Sequence, residues 1–221
     1  MSPLPSSRVC ALVPAHNEAP RVGRNLQVIL HSGLADRVLL IDDGSTDETR
    51  TIGERMEDVE VVSLPKNLGK AGAVQAGLSR VDAGVVLLLD ADLLDLNKGH
   101  IFQLLDPVLR GHCEMSVGVF QEGRLGTDLG QFVAPGLSGQ RAFQRERISH
   151  FPFSEVRGYG FETALNGFAL REGWRVLRIP LPGLHQVTKE RKMGMVKGFG
   201  SRMRMYFEVV RGWMGRWAPK A

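Results

Sequence analysis

Short apolar runs alternate along the first half of the chain with longer stretches in which apolar residues recur every three or four positions. The runs are residues 8–13, 38–41, 59–63 and 85–89, and the stretches that follow them are 19–31, 46–56, 70–81 and 98–109. Val85-Val86-Leu87-Leu88-Leu89 contains no polar alternate at all. A run of that kind reads as a strand covered on both faces, and the periodic stretches read as the helices that cover it. Four such βα units predict an α/β domain with a mostly parallel central sheet.

Beyond residue 110 the pattern loosens. Residues 114–120 read as a strand, 139–148 and 159–172 as helices, and 175–179 as a strand that stops at Pro180. Residues 121–136 are rich in glycine and weakly patterned, as expected of a loop lining a site. Residues 189–200 are basic and dotted with glycine, and 201–213 carry a helical pattern.

Composition sharpens this only in part. A chain of 221 residues with 43% hydrophobic and 24% charged residues fits one soluble globular domain with a real core. Two cysteines, Cys10 and Cys113, sit in or beside apolar runs, which points to buried thiols in a reducing, cytoplasmic setting. No stretch approaches the eighteen or so apolar residues that cross a bilayer, and residues 1–7 have no signal-like apolar core and read as disordered. The net charge of +4 is unevenly spread: residues 189–221 hold nine Lys or Arg against two Glu, which leaves the rest of the chain at −3.

In open α/β sheets, ligands bind outside the carboxyl ends of the strands, and here each strand ends in polar residues. The first ends in Val13-Pro14-Ala15-His16-Asn17-Glu18. Pro14 is expected to end pairing, the backbone beyond it to meet a flat ligand, and Glu18 to accept ribose hydroxyls. A simple turn in which Asn17 caps the next helix accounts for the same residues. The second ends in Ile41-Asp42-Asp43-Gly44-Ser45-Thr46-Asp47, where an Asp suits a uracil-like ring N–H and Gly44 permits close approach. Helix capping by Ser45 or Thr46, with Asp47 on the helix dipole, is the structural alternative. Asn67-Leu68-Gly69-Lys70-Ala71-Gly72 offers glycines and a cation at a helix start, which suits an anion. It has neither the G-x-x-x-x-G-K-[ST] nor the G-x-G-x-x-G spacing. The fourth strand ends in Asp90-Ala91-Asp92, a pair able to hold a hard divalent cation that neutralises a diphosphate. Chance supplies roughly 0.5 such Asp-x-Asp pairs in a chain of this composition, so the weight rests on the four strand ends together.

In that order and spacing, these four segments resemble family 2 glycosyltransferases of the A-type fold over residues 8–210. Ser138-Gly139-Gln140-Arg141, Gly158-Tyr159-Gly160-Phe161-Glu162 and His185 are further similar to segments of polyprenyl-phosphate sugar transferases and glucosyl-3-phosphoglycerate synthases. The resemblance implies a single Rossmann-like nucleotide-diphospho-sugar transferase domain over residues 8–188, with a nucleotide-binding half at 8–95 and an acceptor half at 96–188. It implies that Pro14, Ala15, Glu18 and Asp43 contact the nucleoside and that Lys70 lies near the nucleotide or sugar. Asp92 would ligate Mn²⁺ or Mg²⁺, with Asp90 on the metal or ribose and His185 as a third ligand. Glu162 is the candidate for acid–base work. The chain has Gly-Phe-Glu-Thr where many inverting members have a Glu-Asp pair, which leaves both the base and the stereochemical outcome open.

The basic C-terminal segment, residues 189–221, has two readings. Lys189, Arg191 and Lys192 are placed to close over a diphosphate, and Met203, Phe207, Val210 and Met214 form an apolar stripe flanked by arginines. Such a helix packs on the domain or a second subunit, or lies on an anionic membrane surface. The expectation is therefore a metal-dependent hexosyltransferase using a nucleotide-sugar donor, a UDP-sugar first, with a polyprenyl phosphate or a small phosphorylated metabolite as acceptor. Peripheral membrane contact and a homodimer are compatible with it, and nucleic acid is not an expected partner. A sugar nucleotidyltransferase and a non-catalytic nucleotide-sugar-binding protein stand as alternatives.

Overall fold

The computed structural model describes residues 8–121, 139–156 and 160–186. The elements run β1 (Val9–Ala15), α1 (Ala19–Ser32), β2 (Arg37–Asp42), α2 (Thr49–Glu54), β3 (Val59–Ser63), α3 (Gly69–Leu78), β4 (Val85–Leu88) and β5 (Leu93–Leu94). They continue with α4 (Lys98–Leu109), β6 (Met115–Gln121), β7 (Arg141–Gln144), α5 (Phe161–Arg171), β8 (Val176–Pro182) and β9 (His185–Gln186). Seven strands form one sheet in the order β3-β2-β1-β4-β7-β6-β8, while β5 and β9 pair separately. β3, β2, β1 and β4 are mutually parallel, as the βα alternation predicts, and β6 is parallel to β8. The domain is α/β with a mostly parallel centre.

Burial on both faces follows from the strand chemistry. Val9, Ala11 and Val13 of β1, with Val85 and Leu87 of β4, pack under Val22, Leu26 and Ile29 of α1 and Ile101 and Leu104 of α4. The alternate residues Cys10, Leu12, Val86 and Leu88 face α3 and α5, against Val74, Leu78, Phe161, Leu165 and Phe168. Successive strand side chains point to opposite faces, so an unbroken apolar run is what two helical layers require. Cys10 and Cys113 are both free and fully buried, and burial pushes each thiol up to about 11. They are inert core residues.

Three local expectations are corrected. Residues 139–148 do not form a helix. Arg141–Gln144 is a strand inserted antiparallel between β4 and β6, followed by a 3₁₀ turn at Arg145–Ile148. Ala142 packs into one core layer and Phe143 into the other, and this double burial overrides local propensity. Pro14 does not end pairing either, because β1 stays in register with β2 through Ala15↔Asp42. The Leu12 carbonyl accepts from Leu89 N on the β4 side, and Pro14, two residues on, faces the same way. Its missing N–H therefore points where β4 has already stopped, so nothing is lost. Likewise β8 runs past Pro180 to Pro182, because it is the sheet's outermost strand and bonds only to β6. Of the predicted elements, the loop at 121–136, apart from Gln121 at the end of β6, and the stretch at 201–213 lie outside the described residues. No helix among the described residues is long and apolar enough to cross a membrane.

Candidate active site at the carboxyl edge of the sheet

The ends of β1, β2 and β4 lie side by side, so the polar residues beyond them share one edge. Asp43 N donates to the Ala15 carbonyl (2.8 Å), and His16 Nδ1 lies 2.9 Å from the Asp43 carbonyl. The buried Asp43 carboxylate accepts from Leu68 N at 2.7 Å, which draws the loop before α3 onto the end of β2. Gly44 has φ +66°, and a Cβ there would lie 2.6 Å from the Lys66 carbonyl carbon, so both conformation and space require glycine. Asn17 does not cap α1. It adopts φ +57° and ties the two loops together, donating its N–H to Ser45 Oγ (3.0 Å) and accepting from Thr46 N at Oδ1 (2.8 Å). Glu18 is the N-cap residue of α1, and its carboxylate meets Arg21 at 2.9 Å. Asp47 accepts from the Ala19 amide (3.1 Å) and from Thr49, and so serves the starts of both α1 and α2. Burial pushes its carboxyl up, but these hydrogen bonds outweigh burial and hold it below the usual carboxylate value.

At the end of β4 the structure gathers Lys70, Asp90, Asp92, Glu162 and Gln186, which sequence separates widely. Lys70 Nζ from the first turn of α3 pairs with Asp90 Oδ1 and, at 2.6 Å, with Glu162 Oε1 from the first turn of α5. Gln140 Nε2 donates to Asp90 Oδ2 at 2.9 Å. Gln186 Nε2 donates to both acids, 3.1 Å from Asp90 Oδ2 and 2.8 Å from Asp92 Oδ1. Gly139 leaves room for the ion pair: a Cβ there would strike the Asp90 carboxylate and the Lys70 ammonium. Behind it Arg141, with no exposed surface, reaches Asn166 Oδ1 at 3.2 Å.

The charges in this cluster are set by one another. Burial disfavours the Lys70 ammonium, but Asp90 and Glu162 more than offset it and raise its pKa above the ordinary lysine value. Burial likewise pushes Asp90 up, and the Lys70 charge, the Gln140 hydrogen bond and the Arg141 charge pull it below the usual carboxylate range. Burial lowers the Arg141 value, with Glu162 and Asp90 opposing, and a guanidinium stays charged under such a shift. Two cations, Lys70 and Arg141, thus stand with Asp90 and Glu162, and Gln186 links Asp92 to the group. Ionised carboxylate oxygens at the end of a strand are the hard donors that Mn²⁺ or Mg²⁺ takes, so the residues fit such an ion.

Of the expected site residues, Lys70, Asp90, Asp92 and Glu162 form one cluster, and Pro14, Ala15, Glu18 and Asp43 line the same edge further along. His185 lies on β9 opposite Leu94, one residue before Gln186, which touches both acids. Among the described residues, no three Asp, Glu, His or Cys side chains are already drawn together as a metal-ligating set. Tyr159 and residues 189–221 lie outside the described residues. Gln186, Gln140, Arg141 and Asn25, whose Nδ2 donates to the Ala91 carbonyl between the two acids at 2.9 Å, are the contributors that sequence reasoning did not single out for a role. Gln140 and Arg141 stood inside a quoted segment, and Asn25 interrupts the apolar stripe Val22–Leu26–Ile29. Gln186 carried no signal beyond its neighbour His185.

Residues 10–166 match the model of the family described as glycosyl transferase family 2. The glycosyltransferase AglJ of Haloferax volcanii is 30% identical over 195 residues, covering 78% of this chain and 61% of that protein. Glucosyl-3-phosphoglycerate synthase of Mycobacterium tuberculosis is 27% identical over 194 residues, covering 71% of this chain and 59% of the synthase. The chain therefore spans about six-tenths of the length of these two relatives. The crystal structure of the mycobacterial synthase in complex with Mn²⁺ and uridine-diphosphate-glucose superposes with a TM-score of 0.76 at 23% identity. It covers 97% of this chain and 80% of that one. At this identity the likeness establishes a common fold.

Proposed function

The chain belongs to glycosyl transferase family 2, and from that premise we propose that it moves a hexosyl group from a UDP-sugar to an acceptor bearing a phosphate. The observation that carries this reading is the cluster at the end of β4, where Lys70 is held between Asp90 and Glu162 beside Asp92. Two relatives support the substrate classes. The mycobacterial synthase was crystallised with Mn²⁺, UDP-glucose and phosphoglyceric acid. An undecaprenyl-phosphate sugar transferase of Salmonella paratyphi B is 34% identical over 98 residues. A polyprenyl phosphate and a small phosphorylated metabolite are thus the two acceptors in view.

In the reaction, the bond from the sugar C1 to the diphosphate oxygen breaks and the leaving nucleoside diphosphate takes the electron pair. A bond from C1 to an acceptor oxygen forms. Asp92 and Asp90, with His185 at the β9 end, would hold Mn²⁺ or Mg²⁺, which when bound neutralises charge on the diphosphate. Pro14, Ala15, Glu18 and Asp43 would receive the nucleoside. Lys70 stays cationic at any physiological pH, so its role is fixed positive charge near the diphosphate and not proton transfer. Glu162 is the carboxylate best placed to take a proton from a hydroxyl acceptor, or to orient the sugar when a phosphate oxygen attacks.

The test is transfer from UDP-glucose in excess Mn²⁺, assayed with a polyprenyl phosphate and with 3-phosphoglycerate. Asp92→Ala is expected to lower turnover by roughly 10²-fold or more, since it removes a holder of the charge-neutralising ion. An Asp92→Ala protein as active as the wild type refutes the reading.

A further inference from the structure

We infer that Asn25, a buried residue of α1, is the positioning residue that fixes the acidic loop and sets its affinity for a divalent cation. The inference rests on the proposed glycosyl transfer in taking Asp90 and Asp92 as the cation-holding pair and Glu18 as part of the nucleoside end. Asn25 is 2% exposed and interrupts a helix face otherwise formed by Val22, Leu26 and Ile29. Its Nδ2 donates to the Ala91 carbonyl at 2.9 Å and to the Leu93 carbonyl at 3.1 Å. Both partners are acceptors, so only the NH₂ of the amide can face them, and both of its protons are used.

Those two carbonyls flank Asp92. One belongs to the peptide unit that enters Asp92, and the other lies one residue past it. Holding both removes most of the freedom of the Asp92 Cα and hence aims its carboxylate. Between the end of β4 at Leu88 and the short β5–β9 pair that starts at Leu93 the chain is irregular, and Asp95 just beyond takes φ +62°. An apolar side chain at position 25 would fill the same space and take both of these hydrogen bonds from the loop, so the polar residue serves the loop and not the core.

The same helix begins at the nucleoside end of the site. Glu18 is the N-cap residue of α1, seven positions before Asn25, and two helical turns span about 10 Å at 1.5 Å per residue. A helix anchored to the acidic loop at Asn25 therefore ties the position of Glu18 to that of Asp92. The span between them is the one over which a nucleoside diphosphate must reach. Arg24 adds a longer contact of 3.7 Å to Asp95, but both side chains are well exposed, so the tie rests on Asn25.

The test compares wild type, Asn25→Leu, Ser32→Ala and Asp92→Ala by titration of Mn²⁺ in the presence of UDP, followed by the Mn²⁺ electron paramagnetic resonance signal. Uridine binding and melting temperature are measured in parallel. Asn25→Leu is expected to weaken Mn²⁺ about 10- to 100-fold, the usual effect of losing a group that holds a metal ligand in place, with uridine binding unchanged. Ser32→Ala removes another buried hydrogen bond of α1, from Ser32 Oγ to the Ile29 carbonyl, and is expected to leave Mn²⁺ affinity at the wild-type value. The inference is overturned if Asn25→Leu binds Mn²⁺ as tightly as wild type while Asp92→Ala does not. It is also overturned if Ser32→Ala, at matched loss of melting temperature, weakens Mn²⁺ equally. Absence of Mn²⁺ binding in wild type overturns the cation reading itself and this inference with it.

Discussion

Lys70 carries two carboxylates on one ammonium, and its side chain is 23% exposed against 12% for each partner. Replacing it with methionine keeps the volume but takes away the ammonium that lies between Asp90 and Glu162, leaving only the Arg141 charge behind them. Breaking a buried pair in this way costs about 3–5 kcal/mol. The pH dependence has a definite sign. Asp90 has its pKa lowered in the fold, so its contribution is complete above the ordinary carboxyl value near about 3.9 and is lost as pH falls through the folded value. Lys70 has its pKa raised, so its contribution is complete below about 10.4 and is lost as pH rises through the folded value. The gap in melting temperature between wild type and Lys70→Met is therefore expected to be widest near neutral and mildly alkaline pH and to close as the pH falls, because in Lys70→Met the two carboxylates take up protons more readily than in wild type. A gap that instead widens as the pH falls would show that the ion pair is not the source of the stabilisation.

At the scale of elements, α5 delivers Glu162 in its first turn, the position that most favours a carboxylate at a helix start. The helix itself was legible from its periodicity, and so was the acidic residue opening it. Its partner was not: nothing local to Glu162 indicates that Lys70, ninety-two positions earlier, lies 2.6 Å away. β7 was illegible for a related reason. Arg141-Ala142-Phe143-Gln144 has no clean period of two, and it is a strand only because a slot between β4 and β6 accepts it. Glu162 also separates the two acceptor classes. A phosphate oxygen is already anionic near neutrality, since the second phosphate pKa is about 6, whereas a hydroxyl must lose its proton as it attacks. Glu162→Gln is expected to slow transfer to the hydroxyl of 3-phosphoglycerate by roughly 10²–10⁴-fold, and transfer to a polyprenyl phosphate far less. Equal losses on both acceptors, measured as kcat with saturating donor, would make Glu162 an orienting residue for the sugar.

Across the whole molecule, the parallel arrangement of β1, β2 and β4 explains why so much of the site could be read in advance. Parallel strands end on one edge, so polar residues written after separate apolar runs become neighbours without any knowledge of the loops. What comes from the side, as with Asn25 of α1 and Gln186 of β9, has no such rule and needed coordinates. The same geometry makes the site an assembly of loops from several strands, so a ligand that bridges them should stabilise the whole domain. A ligand at a hundred times its Kd adds about 2.7 kcal/mol to the folded state. For a domain of this size that corresponds to a melting temperature raised by roughly 5–10 °C. On the proposed reading, UDP with Mn²⁺ would span the edge from Asp43 and Glu18 to Asp90 and Asp92, whereas uridine would reach only its first half. The expected order in a thermal-shift series is UDP with Mn²⁺ above UDP with chelator, and uridine indifferent to the metal. Gln186 sharpens the comparison, because its Nε2 lies against the two carboxylate oxygens that the cation would use. The cation must displace those hydrogen bonds, so Mn²⁺ without nucleotide is expected to give a much smaller shift than the two together. An equal rise with UDP in chelator would mean that the diphosphate is held by protein cations alone, and that the acidic pair at the end of β4 serves the fold and not the donor.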